Sequence, residues 1–152
     1  MTRDQIMKYV AKVFGAVPRP EMFIRGTCGC EECREHEAAM QTFDPFDLPL
    51  EKLDNPGWDP ICFAPNAAFA YFMPGLVRRV CENTGDYVTQ VIFHVEQTER
   101  LETLLPEQAE VLVQLLDYVV IHAPEALEEN RAVDALFRAR RELARIAGCT
   151  RR

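Results

Sequence analysis

No stretch of this 152-residue chain approaches the roughly 20 consecutive apolar residues of a membrane span. The opening stretch, MTRDQIMKYVAKVFGAV, is interrupted by Lys8 and Lys12. It therefore lacks the unbroken apolar run of about 7–15 residues that marks a secretory signal. A cytoplasmic location is the expectation, and with it cysteines that stay reduced. A surplus of cations is also missing. The net charge is −7, which does not favour nucleic acid as a partner, because phosphate binding needs clustered Lys and Arg. There is no glycine-rich phosphate loop, no G-x-S-x-G, no H-E-x-x-H and no paired-carboxylate signature. Familiar nucleotide-binding and hydrolase chemistries thus have no support in the sequence, although an unfamiliar enzyme is not excluded. Internal repeats and low-complexity segments are absent as well.

What is there is ordinary globular material. Apolar residues make up 48% and charged residues 27%, enough for one domain, residues 1–152, with a sizeable core. The charge is uneven. Residues 131–152 hold seven arginines against Asp134 and Glu142, a net of +5, so the preceding 130 residues carry −12. A basic C-terminal helix and tail, residues 130–152, can fold back on the acidic body or reach an acidic partner.

Helical periodicity dominates the pattern. Thr2 and Gln5 fit a capping box, and Ile6, Val10, Val13 and Phe14 recur at helical spacing, so 3–15 reads as an amphipathic helix. Pro18 and Pro20 end it. Gly26 and Gly29 allow a tight turn, and from Glu31 the sequence EECREHEAAMQTF has helix-forming composition. Residues 43–66 contain five of the ten prolines and form a long irregular connection, with a short helical turn at LPLEKL. From Pro65 a helix carries Phe69, Phe72, Met73, Leu76, Val77 and Val80 on one face, with Pro74 inside to kink or split it. DYVTQVIFHVEQ has strand-like β-branched content, but its spacing favours a helix. LPEQAEVLVQLLDYVVIHA is a further helix. A last one runs from Pro124 to about Gly148, with a seam of Ala132, Leu136, Ala139, Leu143 and Ile146 that should dock on another helix or on a second copy of the chain. The expected fold is a mainly α-helical single domain of about five or six helices, with a long proline-rich connection and a metal-pinned turn.

The chemistry concentrates in TCGCEECREHE, where Cys28, Cys30, Cys33 and His36 fall within nine residues. Zinc takes four thiolate or imidazole ligands in a tetrahedron. Cys30 and Cys33 have the C-x-x-C spacing, and Cys33 and His36 share one face of a helix that starts near Glu31. Cys28 comes from the preceding turn. Together they make a Cys₃His site, with zinc the expected ion. Four ligands in nine residues demand a tight loop, so Cys62, Cys81, His94 or water remain alternatives for the fourth position. Two other readings stand beside it: a redox pair at Cys30 and Cys33, and plain free thiols.

Elsewhere the plain readings prevail. His94 reads as a satisfied interior histidine rather than a ligand or a base beside Glu96 or Glu99. His122 suits a helix C-terminus. Asp59, before Pro60, starts a turn or caps a helix, with Trp58 as a packing anchor. Arg131, Arg138, Arg145 and Arg152 recur every seven residues, one stripe on a continuous helix and by default a solvated face.

Taken together, CGCEECREHE, NPGWDPICF, AFAYFMPGLVRR, QVIFHVE and LPEQAEVLVQLLDYV resemble a bacterial family of uncharacterised proteins, over about residues 5–122. The Cys-His stretch and WDPICF carry the resemblance most specifically. It implies a small cytoplasmic domain and supplies no catalytic residues. Two functions are carried forward. One is a non-enzymatic binding or interaction domain with a structural zinc, its partner an unknown protein or, through the C-terminal helix, a second copy. The other is a metal- or thiol-dependent enzyme that uses the cysteine cluster.

Overall fold

The computed structural model describes residues 1–26, 28–53, 55, 57–82 and 87–148. Thr27, Asp54, Pro56, Asp86, Arg151 and Arg152, each part of a stretch read above, lie outside them. Among the described residues there are helices and no strands. Six helices have ten or more residues: α1 (Arg3–Phe14), α2 (Glu31–Gln41), α4 (Asn66–Glu82), α5 (Tyr87–Glu96), α7 (Pro106–His122) and α9 (Val133–Ile146). Three short ones, α3 (Leu50–Leu53), α6 (Thr98–Leu101) and α8 (Pro124–Glu129), lie between them, with a 3₁₀ turn at Pro60–Phe63.

The local signals act as written. Thr2 accepts from the Gln5 amide, and the Gln5 side chain accepts from the Thr2 amide, so the capping box closes α1. α5 is helical despite its β-branched content. Its residues Tyr87, Val88, Val91, Ile92 and Val95 are all buried, and burial of that face outweighs strand propensity. α4 runs through Pro74 without splitting. The backbone amide that follows, Gly75 N–H, donates to Pro45 O at 2.7 Å, which ties the proline-rich connection to the middle of α4. The approach is close. A Cβ at Gly75 would stand 2.6 Å from Leu48 Cγ and 2.8 Å from Pro45 O.

One expectation fails. Residues 124–148 are two helices, not one. α8 ends at Glu129, Arg131 adopts a left-handed φ of 53°, and α9 begins at Val133. The arginine stripe therefore loses its continuity, because Arg131 sits in the break. The apolar seam survives: Ala132, Leu136, Ala139 and Leu143 are buried and dock within the chain, α9 packing on α7 and α5. The break lets α8 pack on α7 and α5 while α9 takes its own direction. Two cations of this end fold back on the body, whereas Arg145 pairs with Glu142 on its own helix. Arg138 pairs with Glu96 at 2.6 Å, and Arg140 holds both oxygens of Asp117 at 2.6 and 3.0 Å.

The buried residues form one contiguous core drawn from α1, α2, α4, α5, α7, α8 and α9. On one side of it, the segment 23–26, the start of α2 and the 3₁₀ turn lie together. The Phe23 and Ile24 amides donate to Glu37 Oε2 on α2 at 2.9 and 3.0 Å. The Arg25 amide donates to Phe63 O at 2.6 Å, and its side chain to Ala64 O at 3.0 Å. Every cysteine and histidine singled out from the sequence, apart from Cys81 and His122, belongs to this side or to the face of α5 against it.

Candidate metal centre

Gly26, with φ 71°, turns the chain toward the cysteine segment. Cys30 then occupies the N-cap of α2, where its Sγ accepts the Cys33 amide at 3.4 Å. That position commonly belongs to Ser, Thr, Asp or Asn; here a sulfur fills it. Because the helix begins at Glu31, Cys33 falls in its first turn and faces back toward the cap. Cys28, from the preceding loop, completes the group. The three sulfurs lie within 4.8 Å of one another. Four-coordinate zinc with Zn–S bonds of about 2.3 Å holds sulfurs about 3.8 Å apart, so the thiols stand near the separation that a shared ion imposes.

Cys28 and Cys30 are exposed and Cys33 is buried. Their protons are shared unequally. The Cys33 amide, followed by the Cys28 and Cys33 thiols, bonds to the Cys30 sulfur and lowers its pKa. The Cys33 thiol, held as a hydrogen-bond partner of Cys30 and desolvated, is pushed up to about 12. The Cys30 sulfur, as the acceptor of the group, is the one disposed to lose its proton first, and metal binding to the cluster would have to release the others.

His36, one turn beyond Cys33, is not among the atoms that converge. Its ring is 1% exposed and lies between two aromatics, with Trp58 and Phe63 centroids each 4.5 Å away. Nε2 is buried without a hydrogen-bond partner; Glu32 Oε1 stands 3.6 Å off, beyond hydrogen-bond range. Trp58 is not the buried packing anchor expected: it is 41% exposed and covers the His36 ring from the outside. Cys81 lies outside both cysteine groups, on the last turn of α4, where burial pushes its thiol up to about 11.

Cys62 and His94 belong to a second group, with Asp59. The ligand atoms of these three also lie within 4.8 Å of one another. Asp59 caps the 3₁₀ turn, Oδ1 accepting the Ile61 amide at 2.9 Å, while Oδ2 meets His94 Nε2 at 2.7 Å. Both residues are buried. His94 is thus an interior histidine with a partner, and Asp59 a cap, as the sequence suggested. Neither reading anticipated that they would be each other's partner, 35 residues apart.

Arg100 is the residue with no signal in the sequence. It is 0% exposed, with its guanidinium over Phe69 at 4.6 Å. Nη2 donates to the carbonyls of Ile61 and Cys62 at 2.8 and 3.2 Å, with Ala64 O at 3.4 Å. Nε and Nη1 are buried without partners. Desolvation pulls its pKa down to about 10, which leaves it charged at neutral pH. A buried cation with incomplete hydrogen bonding is costly, and its gain is a 3₁₀ turn clamped by its own carbonyls.

No family model, curated protein or solved structure matches the chain. Among the described residues, no helix is long and apolar enough to cross a membrane. The fold and the two clusters therefore define the class directly: an all-helical domain with a three-thiol group that could hold a metal ion.

Proposed function

We propose that this protein is a non-enzymatic binding domain whose loop 23–30 and helix α2 are stapled by zinc. The observation that carries the reading is the convergence of Cys28, Cys30 and Cys33 within 4.8 Å at the start of α2. Three thiolates suit a borderline-soft ion. The fourth ligand in this reading is His36, one turn along the same helix, whose buried Nε2 lacks a partner and whose ring, outside the converging group, would have to turn toward the thiols on binding. A buried acceptor or donor left unpaired costs about 1–3 kcal/mol, and coordination would remove that cost. The staple acts where the backbone is least regular, between the end of α1 and the start of α2. The partner proposed is another protein, and the exposed side chains Ile121 and Phe137 offer apolar contacts near the C-terminal helix. A second copy docking there would use these residues, because the seam of α9 is already filled.

The test is metal content of untagged, reduced protein together with its melting temperature. Cys30→Ser should release one zinc per chain and lower the melting temperature by several degrees. Unchanged metal content and an unchanged melt would remove the structural-zinc reading.

A thiol-redox reading has one observation in its favour. Cys30 is exposed at a helix N-cap, and Cys33 is buried one turn on, which is how an attacking and a resolving thiol are disposed. Cys28 separates the two. Cys28→Ser should abolish tight zinc binding if the ion needs all three thiols, and should leave Cys30–Cys33 disulfide formation intact if the pair is the functional unit.

A further inference from the structure

We infer that Asp59, Cys62 and His94 form a second metal centre, separate from the Cys28 cluster and open at one coordination position. The proposal does not rest on the zinc reading of the first cluster.

Local geometry brings the donors together. Asp59 caps the 3₁₀ turn Pro60–Phe63 and Cys62 lies within it, three residues on. Side chains three apart eclipse in a 3₁₀ turn, so a carboxylate and a thiol project to the same side. α5 supplies His94 across from them, its ring held edge-on to Phe69 at 6.3 Å between centroids. One oxygen, one sulfur and one nitrogen then fall within 4.8 Å of one another.

The alternative for such a trio is a proton relay, with Cys62 as nucleophile. In a relay, acid and nucleophile occupy opposite nitrogens of the imidazole. The width of the ring and two hydrogen bonds then separate them. Here Asp59 Oδ2 is 2.7 Å from His94 Nε2, and the carboxylate and the sulfur lie within 4.8 Å of each other, too close to flank the ring from opposite nitrogens and close enough to share one ion. A mixed O, S and N set on one point suits zinc or a neighbouring divalent transition ion.

The supporting contacts are those of a prepared site. Asp59 Oδ1 is fixed by the Ile61 amide. Arg100 clamps the Ile61 and Cys62 carbonyls, so the backbone that carries the thiol cannot drift. Asp59 and His94 are buried, whereas Cys62 is exposed. An ion held between them therefore has solvent on its cysteine side. Its two negative ligands would neutralise a divalent ion, leaving the buried guanidinium uncompensated. The fourth position accordingly favours an anion, hydroxide or a small carboxylate. Three protein ligands with an open fourth position is the arrangement of an ion that acts on a bound molecule, whereas a closed four-ligand set only supports the fold.

The test is a cobalt(II) titration of the reduced, full-length chain, followed by the thiolate-to-cobalt charge-transfer band. Wild type should take up two ions per chain. Cys62→Ser, which exchanges an exposed thiol for a hydroxyl, should take up one. The triple variant Cys28→Ser, Cys30→Ser, Cys33→Ser should keep the ion that Cys62→Ser loses, and azide should shift its visible spectrum. If wild type takes up a single ion and Cys62→Ser still binds it unchanged, the second centre does not exist. A single ion weakened by both sets of changes would make Cys62 a ligand of the first cluster and overturn the proposal equally. A single ion lost only in Cys62→Ser would support the second centre and remove the first. Zinc-dependent shifts of the His94 ring nitrogens by NMR give the same answer should the triple variant fail to fold; no shift overturns the assignment.

Discussion

Arg100 shows how one side chain can set a region without approaching any ligand. Its guanidinium is buried, leans on Phe69 and is joined to the backbone carbonyls of Ile61, Cys62 and Ala64 around the turn that carries Asp59 and Cys62. Arg100→Met keeps the length and apolar stem of the side chain and removes the donors. Ile61 O and Ala64 O would keep the Ala64 amide and Arg25 Nε as donors, while Cys62 O would lose the guanidinium, at a cost of about 1–3 kcal/mol for a buried orphaned group. The expected outcome is a lower urea midpoint at an unchanged slope, together with weaker metal binding at Cys62. A midpoint equal to wild type would mean that water replaces the guanidinium at no cost. His36 makes a contrasting case. Its ring faces are covered by Trp58 and Phe63, so its packing role stands whatever its Nε2 binds.

At the scale of elements, two helices depart from what their periodicity implies, for opposite reasons. α4 continues where proline should interrupt it. Pro74 is buried within the helix, and the following Gly75 amide is satisfied by Pro45 O from the long connection. Gly75 is required here by space. Gly75→Ala would force its methyl against Leu48 and the Pro45 carbonyl, and overpacking of this kind costs about 1–3 kcal/mol. Thermal unfolding should show a fall of several degrees, and a neutral result would mean that the connection moves away without penalty. The segment after α7, by contrast, stops where composition would let it continue. Arg131 has φ 53°, a conformation that costs a non-glycine residue about 1 kcal/mol. Arg131→Gly should therefore stabilise the chain by about 0.5–1 kcal/mol in a denaturant titration; destabilisation would show that the arginine side chain makes a contribution of its own.

For the whole molecule, the charges tie distant segments together. Glu82, at the end of α4, receives Arg78 and Arg79 from its own helix and Arg3 from α1, while Arg78 and Arg79 also reach Asp47 in the connection. The Arg78 hydrogen bond holds the Glu82 carboxyl below its ordinary pKa. A depressed folded-state pKa stabilises the protein at pH values above the unfolded one, near 4.3, and that contribution is lost as pH falls through the folded value. Glu82→Gln should thus cost about 0.5–1 kcal/mol at pH 7 in low salt and nothing near pH 2. A difference that persists in acid would point to packing instead. Metal removal should act locally, because the contiguous core spans α1 to α9 and does not depend on the cysteine turn. Chelation should leave the far-ultraviolet circular dichroism nearly intact while exposing the stretch around residues 19–30 to protease, unlike a small zinc finger that unfolds without its ion.

Read as sequence alone, the chain specifies its helices, the cap at Thr2, the turn at Asp59 and the gathering of three cysteines, because each depends on residues a few positions apart. α5 could be told from a strand by its spacing. The break at Arg131 could not be seen, since neither glycine nor proline marks it and Asn130 is the only local hint. The long-range pairings were beyond reach for a further reason. Asp59 with His94, Pro45 with Gly75 and Arg100 with the turn at 61–64 join residues some 30 or more positions apart. Such contacts are selected by which helical faces bury against one another, and no local pattern of residue types records that choice. The metal-ligating residue types were therefore legible in the sequence, whereas their division into two groups was decided only when α2, α5 and the 3₁₀ turn packed together.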